Sequence, residues 1–177
     1  GLEMCIRDRE KTMQEFLELA TPADAEAVLA LYRRQIGRPG CAWNEHYPDA
    51  SFVRADLQRR ALRVVREGER LLAAVSLLEQ DDDELEALGC WTVSPACEAV
   101  RLCVAPDAQG RGIGGRVMRA LLDEAAARGF AALRLLCSTG NAAARRLYKR
   151  EGFARRGQCR LYGEDFLCLE KNLPLSN

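Results

Sequence analysis

The chain has 177 residues, enough for one domain with a sizeable core, and its 26 basic and 26 acidic residues give a formal net charge of zero. A neutral balance does not indicate nucleic-acid binding, and the longest apolar runs, such as residues 71–75, are far too short to span a membrane. No secretory signal opens the sequence. We therefore expect a cytoplasmic protein, monomeric or homodimeric, that binds neither nucleic acid nor membrane.

The predicted elements form a strand–helix–strand–helix core with further strands and helices before it and a hairpin after it. In chain order they are a strand at 14–19, helices at 21–36 and 51–59, a hairpin at 62–65 and 71–78, a strand at 99–104, a helix at 113–128, a strand at 132–137, a helix from 141, and strands at 157–162 and 166–171. This order favours an α/β (α+β) fold with one mixed sheet of six or seven strands and about four flanking helices.

The first residues do not fit this pattern. Residues 1–13 are expected to be a disordered remnant of cloning or of upstream translation, so the single domain is predicted to cover residues 14–174.

The eight cysteines include no C-x-x-C pair, and several lie in apolar strand-like runs. Free buried thiols are therefore expected rather than disulfides or zinc ligands, and with a single histidine we predict no metal.

A glycine-rich run, Gln109–Gly114, follows an apolar strand and leads into an amphipathic helix. Glycines let the backbone approach a ligand closely, and the N–H groups of the first helical turn favour an anion. A P-loop is excluded because Gly115 and Arg116 follow where Lys and Ser or Thr are required. The spacing G-x-G-x-x-G fits residues 110–115, but no acidic residue follows at the distance that ribose binding requires. The pattern (Arg/Gln)-x-x-Gly-x-(Gly/Ala) also fits.

A second segment, residues 141–153, predicts a short helix with Asn141 as its N-cap and Gly152 at its end. Asn141 and Tyr148 are seven residues apart, so they lie on one helical face about 10 Å apart along the axis. A polar group and a phenol on one stripe could line one long ligand.

Together with residues 100–104, the two motifs resemble those of the GNAT superfamily of acyl-CoA N-acyltransferases, over residues 14–173. The resemblance implies a GNAT-like fold and an N-acetyltransferase that moves an acetyl group from acetyl-CoA to a primary amine by direct transfer in a ternary complex. The implied acceptor is a small-molecule or peptide amine. The alternative is a non-catalytic acyl-CoA-binding or regulatory module. The cofactor-binding residues that the resemblance implies are Leu102, Cys103, Val104, Gln109, Gly110, Arg111, Gly112, Ile113, Gly114, Asn141, Ala144 and Tyr148.

Acyl transfer to an amine requires a base for the amine and an acid for the leaving thiolate. Tyr148 is the predicted acid, because its hydroxyl stays protonated at neutral pH. Glu98 is the candidate base. It lies six residues before Val104, so in a regular strand both side chains point to one face, and the resemblance places a glutamate there in many members. A solvated glutamate at a strand end is the alternative.

Other residues are also candidates for the general base, and a loop is the candidate for the acceptor-binding site. The rivals of Glu98 are acidic residues of the run 79–86, namely Glu79, Asp81 and Glu86. This run would attract a cationic acceptor, or it is simply a solvated connection. The aromatic loop between the first two helices is predicted to line the acceptor pocket through Trp43 and Tyr47, the alternative being an ordinary surface loop.

Overall fold

The computed structural model describes residues 16–79 and 83–174. The predicted N-terminal remnant, the start of the predicted first strand and Asp81 lie outside these residues. The strands are β1 (Glu18–Leu19), β2 (Leu62–Glu67), β3 (Arg70–Leu78), β4 (Ala96–Val104), β5 (Ala132–Ser138), β6 (Ala154–Leu161) and β7 (Glu164–Asn172). The helices are α1 (Ala25–Arg33), α2 (Ala50–Gln58), the single turn α3 (Asp83–Glu86), α4 (Ile113–Ala127) and α5 (Ala142–Arg150).

The seven strands form one sheet in the order β1-β2-β3-β4-β5-β7-β6. Among the strands of the described residues, only β4 and β5 are parallel neighbours, and α4 connects them. All other neighbouring strands are antiparallel. The predicted mixed sheet with flanking helices is therefore confirmed, with the short turn α3 added in the acidic connection. No helix within the described ranges is long and apolar enough to cross a membrane.

Helices cover both faces of the sheet. On one face, Ser76 of β3 donates a hydrogen bond to Asp56 of α2 (2.6 Å). On the other face, Arg63 of β2 bonds to Glu124 of α4 (2.6 Å). Arg63 pairs with Val75, the neighbour of Ser76, so these side chains point in opposite directions. We call the two sides the α2 face and the α4 face.

The parallel strands β4 and β5 pair over only three residues, Ala96–Glu98 with Ala132–Arg134. Beyond these residues β4 continues beside β3 alone, and β5 continues beside β7 alone. The two strands therefore stop pairing toward their carboxyl ends, which is also where α4 and α5 begin. A crevice at the carboxyl ends of parallel strands is the usual ligand site of such sheets.

A β-bulge interrupts β4 beside this crevice. Ala74 pairs with Cys103 and Ser76 pairs with Val100, so two residues of β4 lie opposite Val75. One of them, Arg101, has a left-handed backbone with φ of 53°. The extra residue reverses the alternation of side chains along the strand.

The prediction that Glu98 and Val104 share a face is therefore wrong. Glu98 pairs with Leu78 and points to the α2 face, whereas Val104 pairs with Ala73 and points to the α4 face. The strand also begins at Ala96 rather than at Ala99. Glu98 consequently lies inside the strand and is buried, so it is not a solvated residue at a strand end.

Candidate active site

The predicted phosphate loop ends at an open helix terminus. Gly112 is the N-cap residue of α4, and its φ of 76° is in the left-handed region that favours glycine. The first backbone hydrogen bond of the helix runs from Arg116 N to Gly112 O (3.1 Å), so the N–H groups of Ile113, Gly114 and Gly115 precede the ladder. No described atom lies within 4 Å of the position where a Cβ of Gly110 or Gly112 would stand. This arrangement fits a pyrophosphate.

The side chain of Gln109 joins this loop to the rest of the site. Its Oε1 accepts a hydrogen bond from Arg38 Nη2 (2.8 Å), and its Nε2 donates to the carbonyl of Val104 (3.4 Å). That carbonyl also accepts from Gln35 Nε2 (3.1 Å). Gln109 therefore holds the loop in place, and the Val104 carbonyl is already paired. The side chain of Arg111 is exposed and pairs with Glu67 (2.9 Å).

Helix α5 borders the crevice opposite this loop. Asn141 Oδ1 accepts a hydrogen bond from Ala144 N (3.0 Å), so the predicted N-cap is confirmed. A Cβ on Gly114 would stand 3.3 Å from Leu147 Cδ2, which shows how closely α4 and α5 approach each other. The two motifs are thus brought together by helix packing.

The loop between α1 and α2, residues 34–49, reaches the same place, and we call it the acceptor loop. A Cβ on Gly40 would lie only 3.0 Å from Asn141 Cα, so a larger residue at position 40 would collide with the start of α5. Within this loop Trp43 packs edge-to-face on Tyr32 of α1, with ring centroids 5.3 Å apart. Tyr47 packs in the same way on Phe52 of α2 (4.9 Å).

Tyr148 lies on α5 with only 8% of its surface exposed, and its ring meets Phe153 edge-to-face at 5.6 Å. Burial raises the pKa of its hydroxyl above the ordinary value, so the phenol is protonated at neutral pH. A protonated phenol can donate a hydrogen bond, and then its proton, to a developing anion.

Glu98 is 7% exposed and lies beside Arg134, its partner on β5. Arg134 in turn bonds to Glu86 (2.6 Å), to the buried Glu170 (3.2 Å) and to the carbonyl of Val93 (2.6 Å). Glu98 therefore borders a buried polar cluster on the α2 face, the face to which the acceptor loop also belongs.

The rivals of Glu98 are placed less favourably for a base. Glu86 belongs to this cluster through Arg134, with its own side chain half exposed. Glu79 is exposed and forms an ion pair with Arg128, which follows α4 on the other side of the sheet.

Cys103 points into the core next to the crevice. Burial raises the pKa of its thiol to about 12, so the thiolate is almost absent at neutral pH. Because the thiolate is the nucleophilic form, Cys103 is poorly suited to carry an acyl group. Its backbone remains the part available to a ligand.

Sequence reasoning missed one buried charge in this region. Arg101 forms an ion pair with Asp56 of α2 (2.6 Å), and its Nη1 donates to Tyr47 Oη (3.4 Å). A charged residue inside the apolar run 99–104 was the available signal, because such a residue needs a buried partner. The partner, 45 positions away, could not be named from the sequence.

Residues 25–153 match the Acetyltransferase (GNAT) family. The chain belongs to this family. A curated relative, the L-methionine sulfoximine/L-methionine sulfone acetyltransferase of Pseudomonas aeruginosa, is 30% identical over 152 residues, which cover 81% of this chain and 83% of the relative. These matches confirm the predicted acetyltransferase and, with it, acetyl-CoA as its co-substrate.

Solved structures agree with this GNAT assignment. A ribosomal-protein-alanine N-acetyltransferase from Brucella melitensis has a TM-score of 0.69 at 25% identity, covering 89% of this chain and 99% of that chain. A protein from Salmonella typhimurium, solved with its cofactor acetyl-CoA, has a TM-score of 0.67 at 21% identity, covering 89% and 93% of the two chains. The second likeness supports the fold alone. The roles of individual site residues stay predictions.

Proposed function

We propose that this GNAT protein is a cytoplasmic N-acetyltransferase that transfers an acetyl group directly to the primary amine of a small, amino-acid-like acceptor. The observation that carries the proposal is the crevice between β4 and β5, because both cofactor motifs and the acceptor loop meet at its open end. The curated relative named above acts on amino-acid derivatives, which supports a small acceptor. We expect a monomer or a homodimer that uses neither nucleic acid nor membrane.

The residues of the crevice fit acetyl-CoA, which when bound supplies an activated acetyl thioester. The N–H groups at the start of α4 would hold its pyrophosphate. The backbone at Leu102 and Cys103 faces the gap left by β5, where its polar groups can pair with an extended ligand arm. The Asn141 amide group, whose oxygen caps α5, keeps its NH₂ for the same arm.

Tyr148 is proposed as the general acid. Its buried hydroxyl carries a proton at neutral pH and can deliver it to a departing sulfur anion. General acid catalysis of this kind is worth about 10²–10⁴-fold in rate.

Glu98 is proposed as the general base that takes the proton of the amine, directly or through water. It points to the α2 face, on which the acceptor loop lies, and the bulge at Arg101 places it there rather than on the Val104 side. Proton removal and proton delivery would then be assigned to residues on opposite sides of the sheet. The buried, protonated thiol of Cys103 supports direct transfer, in which no residue of the protein is acylated.

The test is turnover with purified protein, acetyl-CoA and a panel of amines that includes L-methionine sulfone, L-methionine sulfoximine and an alanine-initiated peptide. Acetylated product is measured by mass spectrometry, and acetyl-CoA binding is measured separately by thermal unfolding. Acceptor-dependent product supports the proposal. Binding of acetyl-CoA without product from any amine would instead indicate the non-catalytic acyl-CoA-binding module.

A further inference from the structure

We propose that Arg101, through its buried ion pair with Asp56, is a positioning residue that sets the acceptor loop against the cofactor strand. The inference rests on the proposed function, since it concerns how the two substrate sites of that reaction are held together. It adds a role for a residue that is predicted neither to bind the cofactor nor to move a proton.

The ion pair is a buried contact between α2 and the sheet. Arg101 Nη2 donates to Asp56 Oδ2 (2.6 Å), and the two side chains are 8% and 2% exposed. Ser76 Oγ donates to the same carboxylate oxygen (2.6 Å). The pair therefore fixes α2, which follows the acceptor loop directly, to both β3 and β4.

The rest of the guanidinium reaches the acceptor loop itself. Its Nη1 donates to Tyr47 Oη (3.4 Å), and its Cζ lies 5.1 Å from the ring centroid of Phe52. The hydroxyl of Tyr32, on which Trp43 packs, lies beside it. Arg101 thus contacts Tyr47 directly, and it lies next to Tyr32, the residue on which Trp43 packs. Tyr47 and Trp43 are the two predicted acceptor-binding residues.

The backbone of Arg101 belongs to the cofactor side. It forms the bulge of β4 immediately before Leu102 and Cys103, whose backbone groups are proposed to meet the cofactor. One residue therefore links the two substrate sites, and a shift of its side chain would move the acceptor loop relative to the thioester.

Two features of this arrangement cost stability. A left-handed backbone is unfavourable for a residue with a Cβ, and Arg101 has a φ of 53°. Arg101 Nε and Tyr32 Oη are each buried without a regular hydrogen bond to any described residue. A well-packed apolar pair often stabilises a core as well as a buried ion pair does. Strain and unsatisfied polar atoms tend to persist where they serve function.

The decisive experiment compares Arg101→Lys with Arg63→Lys. Arg63 forms a partly buried ion pair with Glu124 (2.6 Å), but on the α4 face away from the acceptor loop. Arg101→Lys keeps the charge beside Asp56 and loses the second arm that reaches Tyr47. We expect its KM for the amine to rise at least tenfold and its kcat to fall, with the Kd for acetyl-CoA within threefold of the parent. Arg63→Lys should leave all three constants within twofold.

A second measurement does not depend on activity. In a Trp91→Phe background, acrylamide quenching of fluorescence reports on Trp43 alone, because the chain has two tryptophans. Arg101→Lys should raise the quenching constant at least 1.5-fold and Arg63→Lys should not. Unchanged amine KM and kcat in folded Arg101→Lys would overturn the inference. If the parent protein acetylates no amine, the proposed function fails, and the quenching result alone then decides whether Arg101 positions the loop.

Discussion

The phosphate site can be tested with two glycines that bracket one helix. Gly112 precedes α4 and Gly129 follows it, with φ of 76° and 88°. Both are exposed, and no described atom lies within 4 Å of where a Cβ of either would stand. Gly112→Glu and Gly129→Glu therefore introduce the same side chain, with the same backbone strain and no collision, at opposite ends of the same dipole.

The two variants should differ in stability in a known direction. A non-glycine residue in the left-handed region costs about 1–2 kcal/mol in either case. A carboxylate is favoured at a helix N-terminus and disfavoured at the C-terminus, by about 0.3–1 kcal/mol each. Without ligand, Gly112→Glu should therefore be the more stable variant by about 0.6–2 kcal/mol, or roughly 1–8 °C in Tm.

Ligand binding should show the opposite order. A carboxylate about 5 Å from a like charge is repelled by about 0.8 kcal/mol in water and about 3.3 kcal/mol at an effective dielectric constant of 20. Gly112→Glu should therefore lose about 4- to 250-fold in affinity for acetyl-CoA, measured by titration calorimetry, while Gly129→Glu should keep the parent affinity. Equal affinities of the two variants would refute the placement of the pyrophosphate at the start of α4.

Three further predictions concern proton transfer and acid stability. Tyr148→Phe should lower kcat by about 10²–10⁴-fold with little change in the Kd for acetyl-CoA, and an unchanged kcat would remove the acid role. Cys103→Ala should keep kcat within a few-fold, because a buried protonated thiol is a poor nucleophile; an acetylated enzyme trapped by mass spectrometry would contradict this. Burial alone would raise the pKa of Glu170, but hydrogen bonds from Thr92 and Arg156 hold it below its usual value. The stability that this depressed pKa provides is present above the unfolded pKa, about 4.3, and is lost as the pH falls through the folded value. Thr92→Val should therefore destabilise the protein to urea at pH 7, and the difference should shrink in acid.

Local patterns were enough to predict two structural features beside the proposed cofactor site. The cap at Asn141 depends on one side chain and a backbone group three residues later, so it can be read from consecutive residues. The apolar stripe of α4, at Val117, Leu121 and Ala125, is fully buried as its spacing predicts. Both features depend on contacts within one element or on one face of it.

The acceptor side depends on contacts that no local pattern records. Side-chain alternation assumes a regular strand, and the bulge at Arg101 arises only when β4 pairs with β3, so the face of Glu98 was mispredicted. The buried partners of Arg101 and Arg134 are likewise set by the tertiary fold. A charged residue in an apolar run predicts that it has a buried partner, but the sequence does not show where in the chain that partner lies.

Because β4 and β5 stop pairing with each other toward their carboxyl ends, each strand has an unpaired edge inside the sheet. Antiparallel and parallel edges alike carry unpaired N–H and C=O groups that can recruit a strand from another molecule. In this chain such groups lie in the middle of the sheet, where β4 and β5 no longer pair with each other. A ligand arm lying in the gap would pair with these groups and so prevent a strand of another molecule from binding there. Bound acetyl-CoA or CoA is therefore expected to keep the protein soluble. Purification and concentration of the protein in the presence of CoA should accordingly suppress self-association.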